Sequence, residues 1–289
     1  MLTRIDHVMI CVTDLQQGID AYTRIGFDIR PGGDHPGRGT HNAIAFLDED
    51  YLEVMGVRDA EEYRRAAGAT GGLLDFLADG PGFRMVAVQS NDLAADVAAM
   101  RQRGVDVSDP VAGGRRTPAG QELRWKSAAL GSRNPLPIFF IEHLTPLNER
   151  RGGPAKHPNG VQRLDRVYIA VTDVGATAKT YATVLGMPVP KIQRGAVIKA
   201  DMAVFDLGPT GLTVAQPADP GPAAEAFARR GPGPFQALYR TSGMDAAATW
   251  ITDHGLPPPV RGVRNTGEHA MLVTPEHACG AYIGFVGPA

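Results

Sequence analysis

The sequence predicts an α+β protein of four βαβββ units joined in pairs, and three observations predict it. Two stretches, "IDHVMICVTDLQQGIDAYTRIGF" (5–27) and "LDRVYIAVTDVGATAKTYATVLGM" (164–187), repeat one another closely. Two fainter copies, "FRMVAVQSNDLAADVAAMRQRGV" (83–105) and "FQALYRTSGMDAAATWITDHGLP" (235–257), keep the same plan. Between the second and third copies lies "NERRGGPAKHPNG", polar and rich in Gly and Pro, which reads as a linker. The expected division is 1–147 for one domain, 148–160 for the linker and 161–289 for the second domain.

Each unit follows from the same local chemistry. The first opens on a strand ending in Thr13-Asp14, and the Asp14 carboxylate suits the free amides of a helix start. A helix containing Tyr22 follows, and Gly26 fits its left-handed end. Strands are then expected at 28–32, 41–47 and 51–57, with Asp48-Glu49-Asp50 as the turn between the last two. The second unit has Asp92 and Gly104 as helix caps and strands at 107–112, 121–130 and 136–144. The third has Asp173, Gly186 and strands at 189–193, 202–207 and 211–216. The fourth has Asp245, Gly255 and strands at 260–264, 269–274 and 279–286.

Composition narrows the function. A chain of 289 residues has room for two cores, and 43% hydrophobic with 21% charged residues is a globular profile. The net charge of −2, without a basic block, argues against nucleic acid as a partner. Cys11 and Cys279 sit in different halves without metal-binding spacing, which points to buried thiols in a reducing compartment. A strand pattern starts almost at Met1, and no apolar run approaches a membrane span. The expectation is a cytoplasmic protein whose partner is a small molecule, not nucleic acid or membrane.

At this point a resemblance is visible. Four paired βαβββ units resemble the vicinal oxygen chelate superfamily, which includes glyoxalase I, extradiol dioxygenases, fosfomycin-resistance enzymes and bleomycin-binding proteins. Residues 5–144 resemble the glyoxalase-like domains more closely, through "DHVMICVTDL", "HPGRGTHNAIAFL", "YLEVMGV", "GGRRTPAGQELRW" and "PIFFIEH". The resemblance implies that each pair of units curls its mixed sheet into an open cup holding a divalent metal, with ligands from first and last strands.

Carried over by position, the ligand places fall on His7, Glu53 and Glu142, with "FFIEH" set against "YLEVM". The fourth falls on Met85, whose thioether is a poor donor for hard or borderline ions. One His and two carboxylates suit zinc, nickel, cobalt, manganese or iron, and a cation would offset the repulsion of two buried acids. Either residue type alone would read as ordinary: a strand His in a core, a strand Glu on a solvated face. Their matching places in a repeat are what single them out.

His41 shares face parity with Glu53 if Asp48–Asp50 form the turn, which sets it at the rim of the cup as a substrate contact. His143 follows Glu142, so alternation sends it to the opposite face. Arg115, Arg116 and Arg124 offer guanidinium groups to an anionic or carbonyl-bearing substrate, with a solvated hairpin as the equal alternative. In the second half Arg166, Thr213, Leu238 and Gly284 replace the ligands, so no metal is expected there. Three roles stay open for that half: completing the fold, covering the first cup, or forming the face of a homodimer.

The resemblance implies a metal-dependent lyase or isomerase, with Glu142 preferred as the general base. The alternative is a non-catalytic binding protein of the drug-resistance type. Extradiol ring cleavage ranks third, because it needs two His and a carboxylate on iron, conventionally in the second half.

Overall fold

Strands form where apolar and β-branched residues alternate, and helices begin where an Asp supplies the missing acceptor. In the computed structural model, which describes residues 1–67, 72–151 and 153–288, both signals hold. The first unit is β1 (Leu2–Val12), α1 (Leu15–Ile25), β2 (Arg30–His35), β3 (Thr40–Phe46) and β4 (Tyr51–Val57). Asp14 accepts hydrogen bonds from the amides of Gln16 and Gln17, and Gly26 ends the helix at φ 96°. Two short helices unforeseen in the sequence follow, α2 (Ala60–Ala67) and α3 (Leu73–Ala78).

The second unit is β5 (Gly82–Ser90), α4 (Leu93–Gln102), β6 (Val111–Arg116), β7 (Glu122–Ala129) and β8 (Ile138–His143), with the short α5 (Leu147–Arg150) after it. The third is β9 (Val161–Ala170), α6 (Val174–Leu185), β10 (Gln193–Gly195), β11 (Ala200–Leu207) and β12 (Thr210–Pro217), followed by α7 (Pro222–Arg230). The fourth is β13 (Gly233–Thr241), α8 (Met244–Asp253), β14 (Val260–Val263), β15 (His269–Val273) and β16 (Tyr282–Val286). Its helix is capped by Gly243, so Asp245 lies in the first turn and is not the cap. No helix among the described residues is long and apolar enough to cross a membrane.

The first eight strands run in the order β1-β4-β3-β2-β6-β7-β8-β5 and close into a barrel. Closure rests on one bridge between Asp34 and Arg116. Gly33 makes that approach feasible: at φ 123°, a Cβ there would stand 1.9 Å from the Arg116 carbonyl oxygen. The second eight form an open sheet, β10-β11-β12-β9-β13-β16-β15-β14. Its concave face is partly filled by its own side chains, since a Cβ on Gly284 would meet Leu238 Cδ1 at 2.7 Å and Leu272 Cδ2 at 2.9 Å.

One hydrophobic core runs through both halves, on the faces turned away from the barrel interior. Phe27 packs edge-on to Tyr239, with ring centres 5.2 Å apart, and tilts against Phe285 at 6.1 Å. Tyr22 donates its hydroxyl hydrogen to the Ala278 carbonyl at 3.1 Å. Each such ring contributes about 1.5–3 kcal/mol through apolar burial. Residues 157–159 are pinned to this core: fully buried Asn159 donates from its side chain to the Ile25 carbonyl, and His157 Nδ1 accepts from the Asp28 amide.

Candidate active site

The site begins at an irregularity in β1. Ile5 pairs with Val88 and His7 with Ala87, so β1 carries Asp6 as an extra residue opposite β5. The bulge lets consecutive side chains meet: His7 Nδ1 donates to Asp6 Oδ2 at 2.7 Å. From β8, one strand beyond β5 in the sheet, His143 Nε2 donates to the same carboxylate at 2.9 Å. Burial works to raise the Asp6 carboxyl. The hydrogen bonds and charges of His143 and His7 together outweigh it and hold the group well below the usual carboxylate range.

The ionised Asp6 accepts from His7 Nδ1, which leaves Nε2 as the ring nitrogen turned to the cavity. That nitrogen faces Glu53 Oε2 at 3.4 Å. The other Glu53 oxygen accepts from Asn42 Nδ2 at 2.6 Å. Tyr51 stacks on the His7 ring, centres 4.3 Å apart, and Phe139 meets its edge at 5.6 Å. The imidazole is therefore held in both tautomer and orientation.

The second half repeats the scaffold with other chemistry. Asp165 is the bulge residue of β9, lying between Leu164 opposite Tyr239 and Arg166 opposite Leu238. Its partners are Arg240 Nε at 2.9 Å and Arg264 Nη1 at 3.3 Å. Two guanidinium groups make that carboxylate an ion-pair anchor, whereas Asp6 faces two imidazoles.

These residues open onto a cavity of about 810 Å³ inside the barrel. Met9, Met55, Met85 and Trp125 contribute to apolar walls, and Arg38, Arg84, Arg115 and Arg150 reach in from the sides. His35 lines it too, its Nδ1 within 2.9 Å of the Thr40 hydroxyl. Burial lowers the His35 pKa against the opposing pull of Glu53, so this ring is neutral at pH 7.

His7 and Glu53 meet as the sequence predicts, but Glu142 does not join them. Glu53 pairs with Met9, five residues before the Asp14 cap, and the matching residue Ala87 pairs with Phe139. Phe139 is thus the counterpart of Glu53, and Glu142 stands an odd number of residues beyond it, on the opposite face. There its Oε2 accepts from the Leu93 amide at 3.0 Å, at the start of α4. Glu142 is here a helix-terminus acceptor, turned away from the cavity that His7 and Glu53 line. The same count brings His143 into the cavity, against the expectation from alternation.

His41 is a second correction. The Leu47 amide bonds to the Asp50 carbonyl, leaving Asp48-Glu49 as a two-residue turn, and Ile44 pairs with Glu53. One turn residue fewer reverses the parity of β3, so His41 packs over Gly56 outside while Thr40 and Asn42 face the cavity. Arg116 and Arg124 follow the alternative expected for their stretch, a solvated hairpin, and not the substrate role. Both are exposed and pair with Glu122, at 3.4 and 3.2 Å. Arg115, of the same stretch, is the one that points inward.

Asp6, His35, Asn42 and Tyr51 escaped the sequence reading. A signal for Asp6 existed, because it adjoins His7 and recurs as Asp165 in the repeat.

A family model described as "Glyoxalase-like domain" matches residues 5–185. This chain belongs to the glyoxalase-like domain family. A second model, "Glyoxalase/Bleomycin resistance protein/Dioxygenase superfamily", matches residues 165–274. No match is found among curated protein sequences. Among solved structures, the glyoxalase-like chain is similar to a hypothetical protein from Staphylococcus aureus, at 13% identity and TM-score 0.68, covering 99% of this chain and 100% of that one. It is similar to a mutant 4-hydroxymandelate synthase from Streptomyces coelicolor, at 14% identity and TM-score 0.68, covering 99% and 92%. It is also similar to a xylose isomerase-like TIM barrel/4-hydroxyphenylpyruvate dioxygenase fusion protein, at 11% identity and TM-score 0.62, covering 99% of this chain and 49% of that one. At these identities the likeness is one of fold.

Members of the superfamily commonly use a divalent metal, and the donors here can be tested against one. His7 Nε2 and Glu53 Oε2 stand 3.4 Å apart. Two ligands of one tetrahedral ion lie roughly 3.3–3.6 Å apart, so this pair has the spacing of a half-site. The other half is missing, because Met85 and Phe139 occupy the matching places. Among the described residues no group of three or more His, Cys, Asp or Glu forms a metal-binding cluster. Two donors fall short of the three protein ligands a catalytic ion ordinarily keeps, so the set does not fit.

In the second half the four places hold Arg166, Thr213, Gln236 and Gly284. Gln236 replaces the expected Leu238 because it pairs with Tyr168, as Met85 does with Met9.

Proposed function

We propose that the barrel is the active site of a lyase or isomerase that moves a proton on a small oxygen-bearing substrate. His7 is its base. The observation that carries this reading is the Asp6–His7 pair, with its free Nε2 turned toward Glu53 inside a ligand-sized cavity. His7 Nε2 takes a proton from the substrate, and the resulting imidazolium is stabilised between the Asp6 and Glu53 carboxylates. Returning the proton to a neighbouring atom gives isomerisation, and loss of a leaving group gives elimination.

The metal-dependent version implied by the resemblance depends on Glu142, which lies on the other side of the sheet, so no step is routed through a cation. A sequestering protein is the second reading, favoured by the size of the cavity.

The test is exchange of carbon-bound hydrogen in D2O, followed by NMR over a panel of 2-oxo and 2-hydroxy acids. Wild type should exchange a hydrogen next to a carbonyl or hydroxyl, and a chelator should leave the rate as it was. His7→Gln should lower the rate by about 10²–10⁴, the usual worth of a positioned base. Binding without exchange across the panel would favour the sequestering protein.

A further inference from the structure

Four arginines among the described residues line the barrel cavity, against the single carboxylate of Glu53. Among the described residues, Arg38, Arg84, Arg115 and Arg150 form no ion pair, although Arg58, Arg116, Arg124 and Arg166 elsewhere do. A chain of net charge −2 has acids enough to pair them. Cations left unpaired in a partly enclosed space raise the local concentration of anions and await a counter-charge.

Two of the four converge. Arg115 is buried and uses Nη1 to donate to the Gly32 carbonyl, so one edge of its guanidinium is fixed and the remainder faces inward. Arg150 projects from α5, and its buried Nε has no partner. Burial works against the charge of both, Arg115 also feels the charge of Arg150, Arg150 feels the Asp6 carboxylate most, and both lie close enough to Tyr51 to act on its hydroxyl. Tyr51 is the ring stacked on His7. The pair of cations is therefore next to the catalytic imidazole, beside walls built from Phe46, Phe139 and Trp125.

We infer that the ligand of this cavity is a carboxylate borne on an apolar, aromatic-sized body, with its carboxylate clasped between Arg115 and Arg150. Planar guanidinium forks match carboxylate geometry in a way that a point charge does not. A cavity of about 810 Å³ exceeds what a three-carbon compound fills, so the body carries a ring or a branched chain. This inference rests on the barrel being the substrate site, as proposed above, and separates the grip on the carboxylate from the proton transfer.

The experiment titrates 3-phenylpropanoate and its uncharged amide, 3-phenylpropanamide, into wild type, Arg150→Gln and His7→Gln by calorimetry at low ionic strength. The carboxylate should bind wild type at least tenfold tighter than the amide. Arg150→Gln should abolish that preference while keeping a single cooperative melt, because among the described residues the Arg150 side chain forms no hydrogen bond or ion pair whose loss would unfold the barrel. His7→Gln should keep the preference. Equal binding of the two probes, failure of the carboxylate to bind, or a preference retained in Arg150→Gln would overturn the inference. So would a preference lost in His7→Gln as fully as in Arg150→Gln. If the preference tracks Arg150 while no hydrogen exchange is found, the carboxylate site stands and the catalytic reading alone fails.

Discussion

At the scale of single residues, Asp6 decides what His7 can do. A buried carboxylate is costly unless its hydrogen bonds are met, and Asp6 has two, from His7 and His143. Asp6→Asn removes the charge from both. The expected loss is about 3 kcal/mol at pH 7, since hydrogen bonds to charged groups contribute roughly 1.5 kcal/mol or more each. The folded carboxyl lies below its unfolded value, so its contribution is complete above an unfolded pKa of about 3.9 and fades as pH falls below that. Denaturant titrations of wild type and Asp6→Asn should therefore differ fully at pH 6–8 and converge in acid. A difference that grew on acidification would contradict this assignment of charge.

At the scale of elements, single-residue counts set the contents of the cavity. The bulge at Asp6, the two-residue turn at Asp48-Glu49 and the register of β8 each shift side chains from one face of a strand to the other. Glu142 measures the last of these. Because it accepts the Leu93 amide at the start of α4, Glu142→Ala should cost about 1 kcal/mol of stability. Hydrogen exchange on the substrate should stay within about twofold of wild type, which a kinetic and melting comparison would check. A collapse in rate equal to that of His7→Gln would place Glu142 back in the site.

At the scale of the whole molecule, the two halves share one core and differ in what their sheets enclose. Thr210 accepts the Ile5 amide, Asp50 accepts the Leu164 amide, and Arg230 lies over the Phe76 ring at 4.1 Å while bonding to nearby carbonyls. Residues 1–147 expressed alone would expose the Phe27 and Tyr22 face to water. We expect that fragment to aggregate or bind a hydrophobic dye, measured by light scattering and fluorescence against the full chain. A monomeric fragment with wild-type melting behaviour would show that the second half is dispensable to the first.

What the sequence determined by itself was local or repeated. Helix caps at Asp14 and Gly26, strand periodicity and the four-fold repeat depend on residues a few positions apart, so they are legible without the fold. His7 and Glu53 were placed by the resemblance, which puts one on the first strand of the unit and the other on its last. The errors at Glu142, His143 and His41 have one cause: face parity across a turn or bulge changes with one residue, and apolar strands such as "PIFFIEH" offer no alternation to reveal it. Only the tertiary structure could close the barrel through Gly33 and Arg116, bring His143 to Asp6 across the sheet, or set Arg150 of α5 beside Arg115 of β6. Those contacts join elements far apart in the chain, and packing alone selects among the partners each residue type would accept.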